Sequence, residues 1–228
     1  MADRSLNRVA PRKKLGDEIA DSLRQAILSD QYAPGEKIGL ESVANELDVS
    51  VMPVREALIT LANEGLVEVE SRRGFRAKPL SQDDLGDLFE IQAHLTGILV
   101  ARAAEVATSE DVAALRRNHE QLVELSEKPL TKANTRKAGQ LNAEFHRYIA
   151  RIPRGERVRW FLRLTHRYVR SDLFEAVPSV LDAALRDHPL IIDAIERHDV
   201  DEARRLAENH FAQGPQLMGC NTSPAPAV

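Results

Sequence analysis

Four residues in the second half of the chain have types and spacings that suit a metal ion. Asn142 and His146 are four residues apart in NAEFH, so a helix places one above the other on the same face. His188 and His210 are equidistant from Asp199, so an antiparallel helical hairpin that turns there brings the two imidazoles level. An amide oxygen and three imidazoles could surround a divalent cation in a bundle core. The spacing leaves a second interpretation equally open, in which the histidines are separate polar core residues.

The other four histidines have no partner at a spacing typical of metal ligands. We expect them to be surface residues or hydrogen-bonded helix residues; they are His94, His119, His166 and His198. The sequence also shows no nucleophile motif, no phosphate-binding loop and no acid or base beside the candidate ligands. A metal-dependent hydrolase is therefore the less favoured alternative, and we do not expect an enzyme.

The segments that carry these residues predict an all-helical bundle. No strand pattern appears after residue 80, and helices are predicted at about 81–107, 108–127, 132–152, 154–176, 180–198 and 200–213. The strings SQDD, TSED and DVDE predict helix caps at Ser81, Thr108 and Asp199. The predicted helical domain spans 81–213, and a disordered tail follows over 214–228.

The first 80 residues predict a second kind of domain. Helices are expected at about 15–30, 41–47 and 51–65, and two strands at 66–70 and 74–78, with a Pro-Gly turn in YAPGEKI. A helix, a helix-turn-helix and a two-stranded wing in this order form a winged helix-turn-helix, which places one helix in the major groove of DNA. This predicted domain spans 15–80, after a flexible basic arm at 1–14.

The helix that begins in VSVMPVREAL has the features of a recognition helix. Ser50 suits the N-cap and Pro53 the first turn, because proline lacks the N–H that would be unpaired there. Apolar residues recur at helical spacing and leave Arg55 pointing elsewhere, where it could meet a phosphate or a base edge. Arg72 and Arg73 lie in the predicted wing turn. A capped surface helix with a solvated arginine is the alternative, but the whole arrangement favours DNA binding.

Charge and composition are consistent with this interpretation. The 228 residues have a net charge of −4, but five basic side chains lie in residues 1–14 and four in residues 71–78. Hydrophobic residues make up 43% of the chain, yet no apolar run reaches the length of a membrane span and the N-terminus lacks a signal-peptide core. The single Cys220 cannot form an internal disulfide. We expect a soluble, cytoplasmic protein with no membrane partner.

The segments YAPGEKI, LESVANELDVSVMPVREALITLANEGLVEV and SRRGFRA together resemble the winged helix-turn-helix of the GntR transcription regulators. The resemblance covers residues 15–79 and implies that a set of helix and wing residues contacts DNA: Ser50, Met52, Pro53, Arg55, Arg72, Arg73 and Gly74. Family members usually carry arginine and threonine where this chain has Val51 and Met52, and some carry a DNA-contacting arginine where it has Glu41. These departures predict a weaker contact or an unusual operator.

The second half resembles the metal-binding helical effector domain (FCD-type) of the FadR-like subgroup over about residues 82–211. NAEFH and HPLIIDAIERHDVDEARRLAENH match its motifs, which implies that Asn142, His146, His188 and His210 hold a divalent metal, zinc or nickel. Asn142 stands in place of aspartate. Because an amide oxygen is a weaker donor than a carboxylate, we expect weaker metal binding.

The resemblance also implies a small carboxylate effector held near the metal by arginines. Arg163, Arg167 and Arg170 share one face of the helix predicted at 154–176, and a solvated basic face is the alternative interpretation. Family members often carry arginine and glutamate where this chain has Gln92 and Thr96, which predicts a ligand, or a ligand pose, unlike the common one. Together these features predict a mainly α homodimeric transcription regulator, typically a repressor, that binds a two-fold symmetric double-stranded operator. A structural or vacant metal site is the alternative mechanism.

Overall fold

The computed structural model of the chain describes residues 14–70, 74–129, 131–170 and 172–217. It divides into two compact units, Met1–Leu80 and Ser81–Val228. The predicted basic arm up to residue 13, the wing residues Arg72 and Arg73, and the predicted tail beyond Leu217 lie outside the described residues. Within the described ranges, no helix is both long enough and apolar enough to span a membrane.

The first unit contains three helices and a small antiparallel sheet. Its elements in chain order are α1 (Lys14–Leu28), β1 (Lys37–Ile38), α2 (Leu40–Glu46), α3 (Val51–Asn63), β2 (Val67–Glu70) and β3 (Gly74–Ala77). The strand order is β1-β3-β2. This arrangement confirms the helix, helix-turn-helix and wing expected from the sequence.

One strand of the sheet was not predicted. The sequence indicated a turn over residues 32–38, but Lys37 pairs with Arg76 and Ile38 with Phe75, so the wing sheet has three strands. A two-residue strand has no periodicity to reveal it, and it forms only because β3 offers a free edge. The Pro-Gly turn itself is present, since Gly35 has a φ of 76°.

The core of the first unit joins α1 to α3. Ile27, Leu58 and Leu61 are fully buried, as the helical spacing of apolar residues in α3 predicted. A buried ion pair adds to this contact: the guanidinium of Arg24, only 4% exposed, donates two hydrogen bonds to Glu64 at the end of α3. Glu64 thus compensates the charge that Arg24 carries into the core.

The described part of the second unit is all helical. Its elements in chain order are α4 (Gln82–Val106), α5 (Ser109–Ser126), α6 (Lys132–Arg151), α7 (Glu156–Thr165), a 3-10 turn (His166–Tyr168), α8 (Leu173–Ala176), α9 (Ser179–Glu196), α10 (Val200–Ala212) and α11 (Gly214–Leu217). Phe145 of α6, Leu115 of α5 and Ile195 of α9 are fully buried together in its core.

The predicted caps form. Ser81 with Asp84, and Thr108 with Asp111, make reciprocal capping boxes. Asp199 accepts a hydrogen bond from the backbone of Glu202 at the start of α10. These caps fix where α4, α5 and α10 begin, and therefore which residues each helix turns toward the core.

Two predictions about the second unit are wrong. The helix expected at 154–176 ends at Thr165 and is replaced by the 3-10 turn and α8. The hydroxyl of Thr165 donates to the carbonyl of Leu162 at 2.8 Å, a local bond that competes with continued helix. The tail expected to be disordered from Gly214 begins with α11, because Pro215 is buried and Gly214 lies against Phe89, where an added Cβ would be 2.2 Å from the ring.

Candidate metal centre, effector cavity and DNA-binding helix

Three histidines from three helices meet in the second unit. His146 of α6, His188 of α9 and His210 of α10 each direct one ring nitrogen into a space where these atoms lie within 4.8 Å of one another. Ligands bound to one ion at about 2.1 Å lie roughly 3–4 Å apart, so small side-chain rotations would complete the site. The hairpin of α9 and α10 and the pairing of its two histidines agree with the expectation from the sequence.

His188 is the fully buried member of the histidine cluster. Its side chain is fully buried, and both of its ring nitrogens are without a hydrogen-bond partner in the described structure. The ring stacks on Phe145 with a centroid distance of 3.8 Å and an interplanar angle of 8°, which holds its orientation. An imidazole buried with two unpaired nitrogens is costly, and a divalent ion would satisfy one of them.

Burial also sets the protonation state of His146 and His188. It lowers the pKa of His146 and of His188 well below the ordinary value of 6.5, and repulsion between the neighbouring histidines adds to the effect. Both rings are therefore neutral near neutral pH. Neutral imidazole is the form that binds a metal ion, so no proton has to be displaced from them.

Asp187 orients the third histidine. Its carboxylate oxygen lies 3.0 Å from Nδ1 of His210, which leaves Nε2 of that ring for the cluster. Burial raises the pKa of Asp187, but hydrogen bonds from His210 and Arg186 outweigh burial and hold this pKa at about 2. Gln213 donates a further hydrogen bond to the same carboxylate. Asp187 thus places a negative charge directly behind a candidate metal ligand.

Asn142 lies one turn before His146 on α6 and lines the same cavity. Its Oδ1 is buried and makes no hydrogen bond that the described residues provide. An orphaned carbonyl oxygen beside neutral imidazoles is a donor set that fits a divalent cation such as zinc or nickel. The residues present therefore fit the divalent metal that the resemblance implied.

A cavity of about 1090 Å³ opens beside the cluster. It is lined by His146, His210 and Asn142 together with seven arginines and two acidic residues, Asp172 and Glu175. The excess of positive charge suits an anionic ligand. The volume lies just above the range of about 300–1,000 Å³ that is usual for small-molecule sites.

The three arginines predicted to bind an effector all line this cavity, although not as one helical face. Arg163 belongs to α7, whereas Arg167 lies in the 3-10 turn and Arg170 follows it. The single-helix face predicted for them is therefore wrong. Arg170 is bound to Asp172 through two hydrogen bonds, whereas Arg163 is exposed on α7.

The residues of α4 that line the cavity carry no charge. Gln92 and Thr96 are 1% and 6% exposed, and both line the cavity. The amide nitrogen of Gln92 and the hydroxyl of Thr96 have no hydrogen-bond partner among the residues that are described. Two buried residues of α4 with neutral side chains therefore line the same cavity as the arginines.

Sequence reasoning missed two histidines near this site. His119 of α5 makes an edge contact with His188 at a centroid distance of 6.0 Å, and its Nδ1 is likewise unpaired within the described ranges. His166 lines the cavity. Neither has a sequence spacing to the cluster that could reveal it, because helix packing alone brings them there. His94, in contrast, is exposed as expected.

In the first unit, α3 presents the predicted DNA-contacting residues. Met52 is 64% exposed and Arg55 is also exposed, while the opposite face is buried. Ser50 occupies the N-cap position with an extended backbone, but its side chain makes no capping hydrogen bond, contrary to the expected cap. Gly74 has a φ of 102°, a left-handed conformation that favours glycine where the wing turn joins β3.

A winged helix-turn-helix followed by a helical unit with an anion-suited cavity is the architecture of a ligand-responsive DNA-binding regulator. Residues 15–76 match the family described as bacterial regulatory proteins, gntR family, and residues 87–213 match the FCD domain. The chain belongs to the GntR family, in the branch with an FCD effector domain. It is a DNA-binding transcription regulator whose relatives are regulators and not enzymes.

Two curated relatives are similar over most of their length. The HTH-type transcriptional repressor NanR of Enterobacter sp. (strain 638) is 32% identical over 227 residues, covering 88% of this chain and 84% of the relative. NanR of Escherichia coli (strain K12) is 30% identical over 232 residues, covering 90% of this chain and 84% of that relative.

Solved structures share the fold. E. coli McbR/YncC superposes with a TM-score of 0.63 at 21% identity, covering 90% of this chain and 97% of that chain. The structure described as a putative transcriptional regulator GntR from Rhodococcus sp. RHA1 gives a TM-score of 0.61 at 19% identity, covering 91% of this chain and 99% of that chain. At these identities the likeness supports the fold alone.

Proposed function

We propose that this chain is a repressor whose operator binding is modulated by a small anionic effector, held in the cavity of the helical unit at a divalent metal ion. His146, His188 and His210 hold the ion, with Asn142 as an oxygen donor, and Arg163, Arg167 and Arg170 attract the anion. The ion, when bound, supplies a Lewis-acid contact for a carboxylate oxygen. Repression is carried over from the relatives named NanR.

One observation carries the metal part of this proposal: His188 is fully buried, and neither of its nitrogens has a partner among the described residues. It lies between two other histidines whose nitrogens lie within 4.8 Å. Separate polar core histidines, the alternative interpretation, would be expected to find hydrogen-bond partners. The cavity, with its excess of arginines, lies directly beside this cluster. An anion that enters it meets the ion and a positive field together.

The metal is tested by elemental analysis of protein purified without an affinity tag or added metal. About one zinc or nickel per chain is expected, with none in His188→Ala. His94→Ala, which removes an exposed histidine, is the matched control and retains the metal. Stoichiometric metal only in Asn142→Asp would mean that the natural site has too weak a donor set. Metal retained in His188→Ala would contradict the proposed ligands.

The DNA-binding part of the proposal requires a homodimer on a two-fold symmetric operator, with α3 of each subunit in successive major grooves. Sedimentation of the chain with a duplex from its own upstream region should give two chains per duplex. Binding should weaken steeply with salt, since it depends on phosphate contacts. A response of this binding to carboxylates that disappears on chelation would assign the ion to effector sensing. A loss of thermal stability on chelation without any change in that response would make the ion structural.

A further inference from the structure

We propose that the first turn of α3 reads thymine methyl groups in the major groove, and that Val51 and Met52 make these apolar contacts. This inference rests on the proposed function, because it takes α3 to be the helix that enters the groove. It goes beyond that function by naming the base chemistry that the operator presents to the helix. It also names the two residues that select for that chemistry.

The first turn of α3 has no side chain that forms strong hydrogen bonds. It consists of Val51, Met52, Pro53 and Val54. Arg55 is the first residue of the helix with a polar side chain. A recognition helix contacts base edges with its N-terminal residues, so the first side chains that α3 brings to the bases are apolar.

Two of these apolar side chains face outward. Met52 is 64% exposed and Val51 is 37% exposed, whereas Val54 is fully buried in the core of the first unit. Pro53 follows the two exposed residues and fixes the backbone of the turn that carries them. A single exposed apolar residue needs no explanation, but two adjacent ones at the start of a recognition helix lie where bases are contacted.

The major groove offers one apolar group to such side chains. Guanine, cytosine and adenine present only hydrogen-bond donors and acceptors there, whereas thymine also presents its 5-methyl group. A valine or methionine pressed against a G·C pair would remove water from polar groups without replacing their hydrogen bonds, which costs free energy. Against a thymine methyl, the same side chain removes apolar surface from water on both partners. The first turn therefore favours A·T pairs and disfavours G·C pairs.

Arg55 supplies a polar contact beside the apolar ones. It is four residues after Val51, so the two side chains lie one above the other on α3, and Arg55 is exposed. Its guanidinium can bind a phosphate or a guanine edge, which neither apolar side chain can do. We therefore expect an operator half-site in which thymines opposite the first turn lie next to the group that Arg55 contacts.

The test removes one methyl group at a time. Preferred duplexes are selected from a random-sequence pool with the full-length chain, without added carboxylates. Each thymine of the selected half-site is then replaced by uracil, which lacks only the 5-methyl group, and the dissociation constant is measured by fluorescence anisotropy. One or two thymines per half-site are expected to lose about fourfold in affinity, the effect of one buried methyl group. The same replacement in both half-sites should cost about sixteenfold, because distant contacts are additive.

Two truncated variants assign the methyl contacts to the first turn. Val51→Ala and Met52→Ala keep the helix, and each is expected to reduce the uracil effect at one thymine to less than about twofold. Ile59→Ala is the matched control, since it removes a side chain that is 47% exposed about two turns further along α3, and the fourfold effect should remain. Met52→Arg should change the selected pair from A·T to G·C, because arginine binds O6 and N7 of guanine.

The outcomes separate this inference from the function on which it rests. A selected sequence in which no uracil replacement weakens binding would overturn the methyl contacts and leave operator binding by α3 intact. A uracil effect that persists unchanged in both truncated variants would overturn the assignment to Val51 and Met52. Selection that enriches no sequence at all would overturn both this inference and the proposed recognition of an operator.

Discussion

The carboxylate of Asp187 lies 3.0 Å from Nδ1 of His210, which leaves Nε2 of that ring for the histidine cluster. A carboxylate in this position fixes the tautomer of a metal-binding histidine and increases its basicity. Asp187 also precedes His188 in the chain, so one short segment of α9 supplies a candidate ligand and the group that orients another.

We therefore expect Asp187→Asn to weaken metal binding about 10–100-fold without abolishing it. Titration against a chromophoric chelator measures the effect. Asp182→Asn, an exposed acid on the same helix, is the control and should bind metal as the natural chain does. An unchanged affinity in Asp187→Asn would show that the contact serves only the packing of the α9–α10 hairpin.

The buried histidines make the stability of the metal-free protein depend on pH. Because the pKa of His146 and of His188 is below 6.5 in the folded state, the unfolded chain binds more protons as the pH falls through that value. The free energy of unfolding is then highest above pH 6.5 and decreases below it, by up to about 1.4 kcal/mol per pH unit for each ring.

Urea denaturation with a chelator present, between pH 5 and 7.5, measures this decrease. Asp187 does not interfere, because its pKa of about 2 means that its contribution is lost only below pH 3.8. His188→Leu should show a shallower dependence than the natural chain, and bound metal should move the decrease to lower pH. A stability that is flat across this range would mean that the histidines are solvated.

Arg55 on α3 is expected to contribute to operator binding. Replacing it with alanine should weaken binding by about 1–3 kcal/mol, and the salt dependence identifies the contact. If the slope of the logarithm of the binding constant against the logarithm of the salt concentration decreases by about one, Arg55 contacts a phosphate. If the slope is unchanged and the sequence preference is relaxed, Arg55 contacts a base. Fluorescence anisotropy with a labelled duplex provides both values. Thr60→Ala, on the same helix, is the control and should bind the duplex as the natural chain does. If Arg55→Ala also binds the duplex as tightly as the natural chain, Arg55 does not contact the operator.

The ion pair between Arg24 and Glu64 is expected to matter for folding of the first unit. Glu64→Ala leaves a guanidinium that is 4% exposed without its main partner, so the free energy of unfolding should fall by about 3 kcal/mol. Asp21→Ala removes an acid that also contacts Arg24 but is 74% exposed, and it should cost less than about 1 kcal/mol. Thermal unfolding of the two variants gives the comparison, and equal losses would argue against the buried pair as the stabilising one.

The sequence predicted most of what depends on local rules. Helix caps at Ser81, Thr108 and Asp199 act within one turn, so their strings are sufficient to place them. The histidines of α9 and α10 could be paired because both helices start and stop at recognisable signals around Asp199. The apolar face of α3 could also be predicted, because the spacing of its apolar residues depends only on the period of one helix.

What could not be predicted depends on contacts between distant segments. β1 exists only where β3 lies beside it. His119 approaches His188 from a separate helix, and Asp187 was invisible as the orienting group of His210 because its role requires the hairpin to be closed. The sequence identified Gln92 and Thr96 only as departures from a pattern, whereas the structure shows both buried where α4 lines the cavity.

The turn at Asp199 limits which changes in the length of α10 the histidine cluster can tolerate. α10 advances about 100° per residue, so one residue inserted or deleted between Asp199 and His210 would swing the imidazole a quarter-turn or more away from His188. No substitution inside α10 could restore it without a compensating change of length. The length of this hairpin therefore constrains the histidine cluster as strictly as the identity of His188 and His210 does, and length variants of α10 would test the proposed sensing separately from DNA binding.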